Sequence, residues 1–122
     1  MRILAAFIVS AISAPLFAAE LRDVRVWASP DSTRVVFDLD NTAAHKLYSL
    51  QGPERIVIDL PGVRTSESLQ MPSESRGLIQ RVRKGRQADG LRVVLDVNSA
   101  VKPRSFVLAP NGDYGYRLVV DL

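Results

Sequence analysis

An all-β fold, two small sheets packed as a sandwich and built from an internal duplication of about four strands each, is predicted by three features of this 122-residue chain. The pattern Arg-x-Val-x-Asp occurs four times, at Arg34-Val36-Asp38, Arg55-Val57-Asp59, Arg92-Val94-Asp96 and Arg117-Val119-Asp121. The copies form two pairs. A shift of 58 positions carries Val24, Arg25, Arg34, Val36, Asp38 and Leu50 onto Val82, Arg83, Arg92, Val94, Asp96 and Leu108, and it sets Tyr48 against Phe106. Past the following loop the shift is 62, so that Arg55, Val57, Asp59 and Leu60 meet Arg117, Val119, Asp121 and Leu122. Such self-similarity is the mark of a duplicated unit. Short apolar runs separated by turn residues, with no sustained helical period, make the units strands.

Taken in order, the chain opens with Met1-Arg2, an almost wholly apolar stretch from Ile3 to Ala14, a break at Pro15 and the small residues of LFAAE. A positive start, a short apolar core and small residues at the end describe a secretory signal peptide. The run is short of the roughly 20 residues a membrane-spanning helix needs. The expected division is a signal peptide over 1–19 and a domain over 20–122, with Glu20 as the mature start. Export to the periplasm follows, with no membrane span once the leader is removed.

Strands are predicted near Leu21–Trp27, Thr33–Leu39, Lys46–Gln51, Arg55–Leu60, Leu78–Lys84, Leu91–Val97, Arg104–Ala109 and Tyr116–Leu122. The turn signals SPDS, QGPE, QADG and PNGD fall between them. Pro61-Gly62 closes the first half. The polar stretch from Val63 to Gly77 reads as an irregular connector, with Leu69 and Met71 as its possible anchors. Strand side chains alternate between faces. In TRVVFDL, Val35, Phe37 and Leu39 share one face and Arg34, Val36 and Asp38 the other. Each copy therefore has an apolar face and a face reading plus, apolar, minus. Two such strands laid antiparallel and in register set Arg against Asp, whereas parallel pairing would oppose like charges. Cross-strand charge pairs contribute only about 0.2–1 kcal/mol each, so they act mainly to fix register.

Composition excludes several functions. The chain holds 16 Lys+Arg against 13 Asp+Glu, and removing Arg2 with the leader leaves an excess of about two positive charges at neutral pH. That is too little for a general polyanion binder, so no nucleic-acid partner is expected. There are no cysteines, hence neither disulfides nor thiol chemistry. A hydrolytic zinc centre needs about three protein ligands. The single histidine, His45, lies in a predicted loop and reads as an ordinary loop residue. Ser-His-Asp catalysis would rest on the same histidine, with no Gly-x-Ser-x-Gly elbow to support it. The repeat's aspartates have arginines at matching depth, which lowers carboxyl pKa and makes poor general acids. No catalytic residue, metal or cofactor is assigned.

The segments DVRVWASPDSTRVVFDL, YSLQGPERIVIDLPG, LRVVLDV and VKPRSFVLAPNGDYGYRLVVDL resemble the AMIN domain of periplasmic N-acetylmuramoyl-L-alanine amidases, the last segment most specifically. The resemblance covers essentially the whole chain after the leader. It implies two packed β-sheets and a module that binds peptidoglycan and brings an attached amidase to the septum during cell division. Divisome or other envelope proteins are further partners of that kind. In those amidases a linker and a zinc-dependent catalytic domain follow, whereas this chain ends at Leu122, so the resemblance carries over targeting and not hydrolysis. Related domains occur in pilus secretins, which leaves a periplasmic protein-interaction module as the alternative.

Under that reading the strongest local feature is Arg81, Arg83, Lys84 and Arg86, four cations in six positions. On an ideal strand Arg81 and Arg83 share a face with Ile79. Peptidoglycan stem peptides carry free carboxylates, which an arginine fork can hold bidentately. The same strip also fits a solvated edge whose charges discourage pairing with other chains. Arg25 is the first-half counterpart of Arg83. Trp27 lies out of phase with Val24 and Val26 and belongs at the sheet surface or rim, as a packing residue or a platform for a sugar ring. Tyr48, Tyr114 and Tyr116 are the other stacking candidates, with Tyr48 assigned to the core through its match to Phe106. The expected ligand-binding set is thus Arg25, Trp27, Arg81, Arg83, Lys84 and Arg86.

Overall fold

The computed structural model describes residues 5–6 and 18–122; the rest of the expected leader lies outside the described residues. Nine strands are present among the described residues: β1 (Ala19–Ala28), β2 (Thr33–Leu39), β3 (Lys46–Leu50), β4 (Arg55–Pro61), β5 (Val63–Thr65), β6 (Ile79–Gln87), β7 (Gly90–Val97), β8 (Arg104–Leu108) and β9 (Tyr116–Asp121). Eight match the expected strands to within a few residues at each end. The ninth, β5, lies in the stretch read as irregular. It pairs parallel with the start of β1, Ala19 opposite Val63 and Leu21 opposite Thr65. Leu69 and Met71 pack against the core from the connector, as expected of anchors.

The strands form a five-stranded sheet in the order β5-β1-β2-β9-β8 and a four-stranded sheet in the order β3-β4-β7-β6. Neither sheet is one half of the duplication. Each half gives one hairpin to each sheet, so the central pairs, β2 with β9 and β4 with β7, join the two halves. The charge pattern accounts for this exchange. In β2–β9, Arg34 stands opposite Asp121 and Asp38 opposite Arg117; in β4–β7, Arg55 stands opposite Asp96 and Asp59 opposite Arg92. All four predicted Arg/Asp juxtapositions occur, antiparallel and in register.

The apolar faces meet between the sheets. Leu21, Phe37, Ile56, Ile58, Leu95 and Leu118 are among its fully buried side chains. The outward valines Val36, Val57 and Val119 are buried as well, roofed by the long charged and aromatic side chains around them. A bulge interrupts β1 between Leu21 and Asp23, and another interrupts β6 between Ile79 and Arg81, the equivalent place 58 residues later. One extra residue at a bulge reverses the alternation. Leu21 and Val24 therefore both point inward, as do Ile79 and Val82. Arg81 and Arg83 do not share a face with Ile79, contrary to the ideal-strand reading.

Ala19 is buried, and the amide of Ala18 donates to the Gly62 carbonyl at 2.7 Å. The folded unit thus includes residues just ahead of the expected mature start. A chain begun at Glu20 should be less stable than one begun at Ala18 by roughly 1–2 kcal/mol, for one small buried side chain and one or two hydrogen bonds. That corresponds to a loss of about 5–10 °C in Tm. Equal melting temperatures would show that this pairing contributes nothing to stability.

Candidate functional site

The outward face of each sheet carries the same electrostatic circuit. On the five-stranded sheet, Arg34 forks onto Asp121 at 2.7 and 2.9 Å, and Arg25 forks onto Asp38 at 2.6 and 2.8 Å. On the four-stranded sheet, Arg92 forks onto Asp59 at 2.7 and 3.0 Å, and Arg83 forks onto Asp96 at 2.8 Å twice. Arg25 and Arg83 thereby occupy the aspartates that register sets against Arg117 and Arg55. Those two arginines turn to backbone carbonyls instead. Arg117 donates to Gly115 and Ala109, and Arg55 donates to Pro53 and Gln51.

The two faces differ in their aromatic residues. Trp27, 49% exposed, lies at the position where the other copy has Gly85. Tyr114, 54% exposed, matches Gly52 at the larger shift. A side chain at either glycine would project into open space. The Arg25 guanidinium sits 4.8 Å from the Trp27 ring and 5.8 Å from Tyr114, Arg117 sits 5.1 Å from Tyr114, and Arg34 sits 5.6 Å from Phe106. Each exposed cation–π contact contributes about 0.5–1 kcal/mol. Arg25, Trp27, Arg34, Leu108, Tyr114 and Arg117 wall a groove of about 550 Å³ whose floor is Val36 and Val119. Past Trp27 a second hollow of about 490 Å³ runs between β1 and the connector, reaching Met71 and Glu74. Such a surface offers flat rings for stacking and charged donors for oxygen acceptors.

The expected site residues do not form one cluster. Arg25 and Trp27 belong to this groove. Arg81 and Arg83 lie on the opposite sheet, both bound to Asp96, Arg81 at 3.1 Å. Lys84 and Arg86 take the inward phase of β6 beyond the core and line a different hollow, beside β5. The basic strip is split because the bulge and the strand's alternation send its members to two sides. Tyr48 is not a core residue. It stands on the outward face opposite Val57 and donates to Asp59 at 3.2 Å, matching Phe106, which is also outward and exposed. Tyr116 packs against the core and offers no platform. Arg34 and Arg117 were absent from the expected set because register assigned each an aspartate. The lead to Arg117 was the longer β8–β9 connection, residues 109–115 against 51–54 in the first half, which brings Tyr114 over it.

The AMIN domain family profile matches residues 23–122. The chain belongs to the AMIN domain family. It is 34% identical over 104 residues to the N-acetylmuramoyl-L-alanine amidase AmiC of Escherichia coli O6:H1, an alignment covering 81% of this chain and 25% of that protein. It is 30% identical over 122 residues to the N-acetylmuramoyl-L-alanine amidase AmiC of Neisseria meningitidis serogroup B, covering 94% of this chain and 29% of that protein. The chain thus spans under a third of the length of these relatives, and what it shares with them is the AMIN domain. An amidase catalytic domain is not part of the 122 residues.

Within this AMIN domain no group of three or more His, Cys, Asp or Glu residues suited to a metal ion occurs among the described residues. His45 Nε2 lies 2.8 Å from Ser105 Oγ, and burial pushes the imidazole pKa down. This contact ties the segment before β3 to β8 across the edge of the sandwich.

The paired aspartates give the domain a pH signature. Arg83, then Arg81, holds the Asp96 carboxyl below the usual carboxylate range; Arg92 with Tyr48 does so for Asp59, and Arg34 for Asp121. A carboxyl with a lowered folded-state pKa contributes stability above its unfolded value and loses it as pH falls through the folded one. Asp96→Asn should therefore destabilise the domain at pH 7 by about 1 kcal/mol, discounted for solvent around the arginines. Denaturant melts should show that difference closing as pH drops toward about 2. A difference that stays constant with pH would mean the pair is not the source.

Proposed function

We propose that this AMIN domain is a non-catalytic cell-wall module that binds peptidoglycan and holds an attached N-acetylmuramoyl-L-alanine amidase at the division septum, after export to the periplasm through a cleaved signal peptide. The observation that carries the binding role is the arginine and aromatic groove on the five-stranded sheet. The five-stranded sheet has Trp27 and Tyr114 at the positions where the four-stranded sheet has Gly85 and Gly52, and added aromatic surface is what sugar rings stack on. Arg117, released from Asp38 and held by neutral carbonyls, supplies a guanidinium able to turn toward a carboxylate. The amidase relatives support the wall as the target.

A second reading, a protein-interaction module, draws on one feature. The edge strand β8 shows Phe106, Val107 and Leu108 at 40%, 43% and 36% exposure, and an open edge can accept a partner's strand.

Co-sedimentation with purified sacculi separates the two readings. The domain should pellet, and Trp27→Ala or Arg117→Ala should each weaken pelleting about tenfold, equivalent to ~1.4 kcal/mol. Arg55→Ala, at the matching position on the other sheet, should leave it unchanged. Absence of pelleting would reject wall binding and favour a protein partner. For the septal role, an exported fluorescent fusion should gather at midcell, and an even distribution around the envelope would reject it.

A further inference from the structure

The hollow beside β5 has properties that the outer-face groove does not share. It occupies about 940 Å³ where the short strand β5 faces the β6–β7 hairpin, and Val63, Thr65, Lys84, Arg86, Asp89 and Leu91 are in its lining. In the duplication Lys84 and Arg86 match Val26 and Ala28. Apolar positions on the inward phase of β1, Val26 buried and Ala28 exposed at the strand's end, have thus become cationic in the second half. After the bulge the inward phase of β6 runs Val82, Lys84, Arg86, with register partners Leu95, Val93 and Leu91, all buried. The two cations follow the core's own face out to its rim, about 7 Å apart along the strand.

Arg25, Arg34, Arg55, Arg81, Arg83, Arg92 and Arg117 on the outward faces are held by aspartates or carbonyls, but neither Lys84 nor Arg86 has an ion pair or side-chain hydrogen bond with the described residues. Arg64, also at the rim, is 3.2 Å from Glu20. Asp89 is the single carboxylate among the lining residues. Two unpartnered cations therefore outweigh one acid inside a concave wall. A charge placed only to keep an edge strand from pairing needs no such wall opposite it. Gly85, between the two, has open space where a side chain would stand.

We propose that this cleft is a second binding site, taking free carboxylates of a short peptide on Lys84 and Arg86. The ligand class rests on the cell-wall reading above, since wall stem peptides present such carboxylates. The two sites would then divide the polymer, sugar rings at the groove and peptide carboxylates at the cleft. Spacing suits the division of labour. Cations at alternate strand positions can meet two carboxylates of one extended peptide, and the Asp89 carboxylate disfavours a densely charged phosphate.

The test is a backbone-amide NMR titration of the domain with a soluble stem peptide freed of glycan, and separately with inorganic phosphate. The stem peptide should shift amides of Thr65, Lys84, Arg86 and Leu91 saturably, and Lys84→Ala/Arg86→Ala should weaken that response about tenfold or more. The variant's unchanged far-UV spectrum and Tm would confirm its fold. Peptide-induced shifts confined to the Trp27 groove would overturn the cleft and leave wall binding intact. Phosphate acting as strongly as the peptide at equal concentration would also overturn it, marking a generic anion patch. Saturable peptide shifts at the cleft in a domain that fails to pellet with sacculi would support the site while removing the wall-binding reading.

Discussion

The antiparallel pairing of β2 with β9 and of β4 with β7 is the constraint on which the rest of the molecule depends. Each pair joins the two halves of the duplication, and each sets arginine against aspartate at both ends of a buried valine. The charges contribute little individually, since exposed ion pairs are close to neutral in free energy. Their importance lies in what the alternatives would cost. A slip of one residue turns every side chain over, sending Phe37, Ile58 or Leu118 into water and an arginine and an aspartate into the core. Burying such a charge without its partner costs several kcal/mol. Parallel pairing would oppose like charges. The motif therefore excludes wrong pairings more strongly than it rewards the correct one, and that selectivity is what lets two equivalent hairpins find the sheet of the opposite half.

Once the register is fixed, the framework is over-determined on its outward faces, and that leaves room for divergence. Asp38 has Arg117 opposite and Arg25 on the neighbouring strand, Asp96 has Arg55 opposite and Arg81 and Arg83 on the neighbouring strand, and in both cases the neighbouring strand takes the aspartate. The arginine left over is satisfied by loop carbonyls. Because the fork of Arg25 on Asp38 recurs as that of Arg83 on Asp96, this part of the circuit belongs to the fold. Function is better sought in what the copies do not share: Trp27 against Gly85, Tyr114 against Gly52, and Lys84 and Arg86 against Val26 and Ala28. These differences fall in two places, the groove on the five-stranded sheet and the rim of the interior beside β5.

Much of this was legible in the sequence because period-two alternation is a strong signal when both faces are patterned. The strand positions, the buried face and the opposition of Arg to Asp could all be read from residues such as Arg34, Phe37 and Asp121. The exchange of hairpins between sheets could not, since a repeat says which strands are equivalent and not which are neighbours. The bulge at Ile79 was hidden for a related reason. It adds one residue on one strand only, and nothing in IQRVR marks where alternation reverses, so Arg81 and Arg83 were assigned to the wrong side of Ile79. Tyr48 was misread because its match to Phe106 was taken as a sign of burial, when both are outward residues beside an arginine. The short strand β5 was lost because three residues carry too little period to detect, and its pairing partner lies at Ala19, where the leader was expected to end.

Site geometry was the least legible part because it depends on choices among near-equivalent partners. Sequence spacing places Arg25 and Arg117 both within reach of Asp38, and only the folded arrangement decides which one is left to face the groove. That decision has a physical consequence. Arg25, fixed by a bidentate contact at 2.6 and 2.8 Å and stacked 4.8 Å from Trp27, is already immobilised, so it orients the indole at little further entropic cost. Arg117, held by longer bonds of 3.2 and 3.3 Å to neutral carbonyls, gives up less when it turns to a charged acceptor. A preorganised aromatic wall beside a replaceable arginine favours a flat, polar ligand over a purely apolar one. The same logic distinguishes the rim, where Lys84 and Arg86 have no acceptor among the described residues to abandon. If the two proposed sites engage one repetitive polymer, effective concentration makes their combined hold exceed either alone.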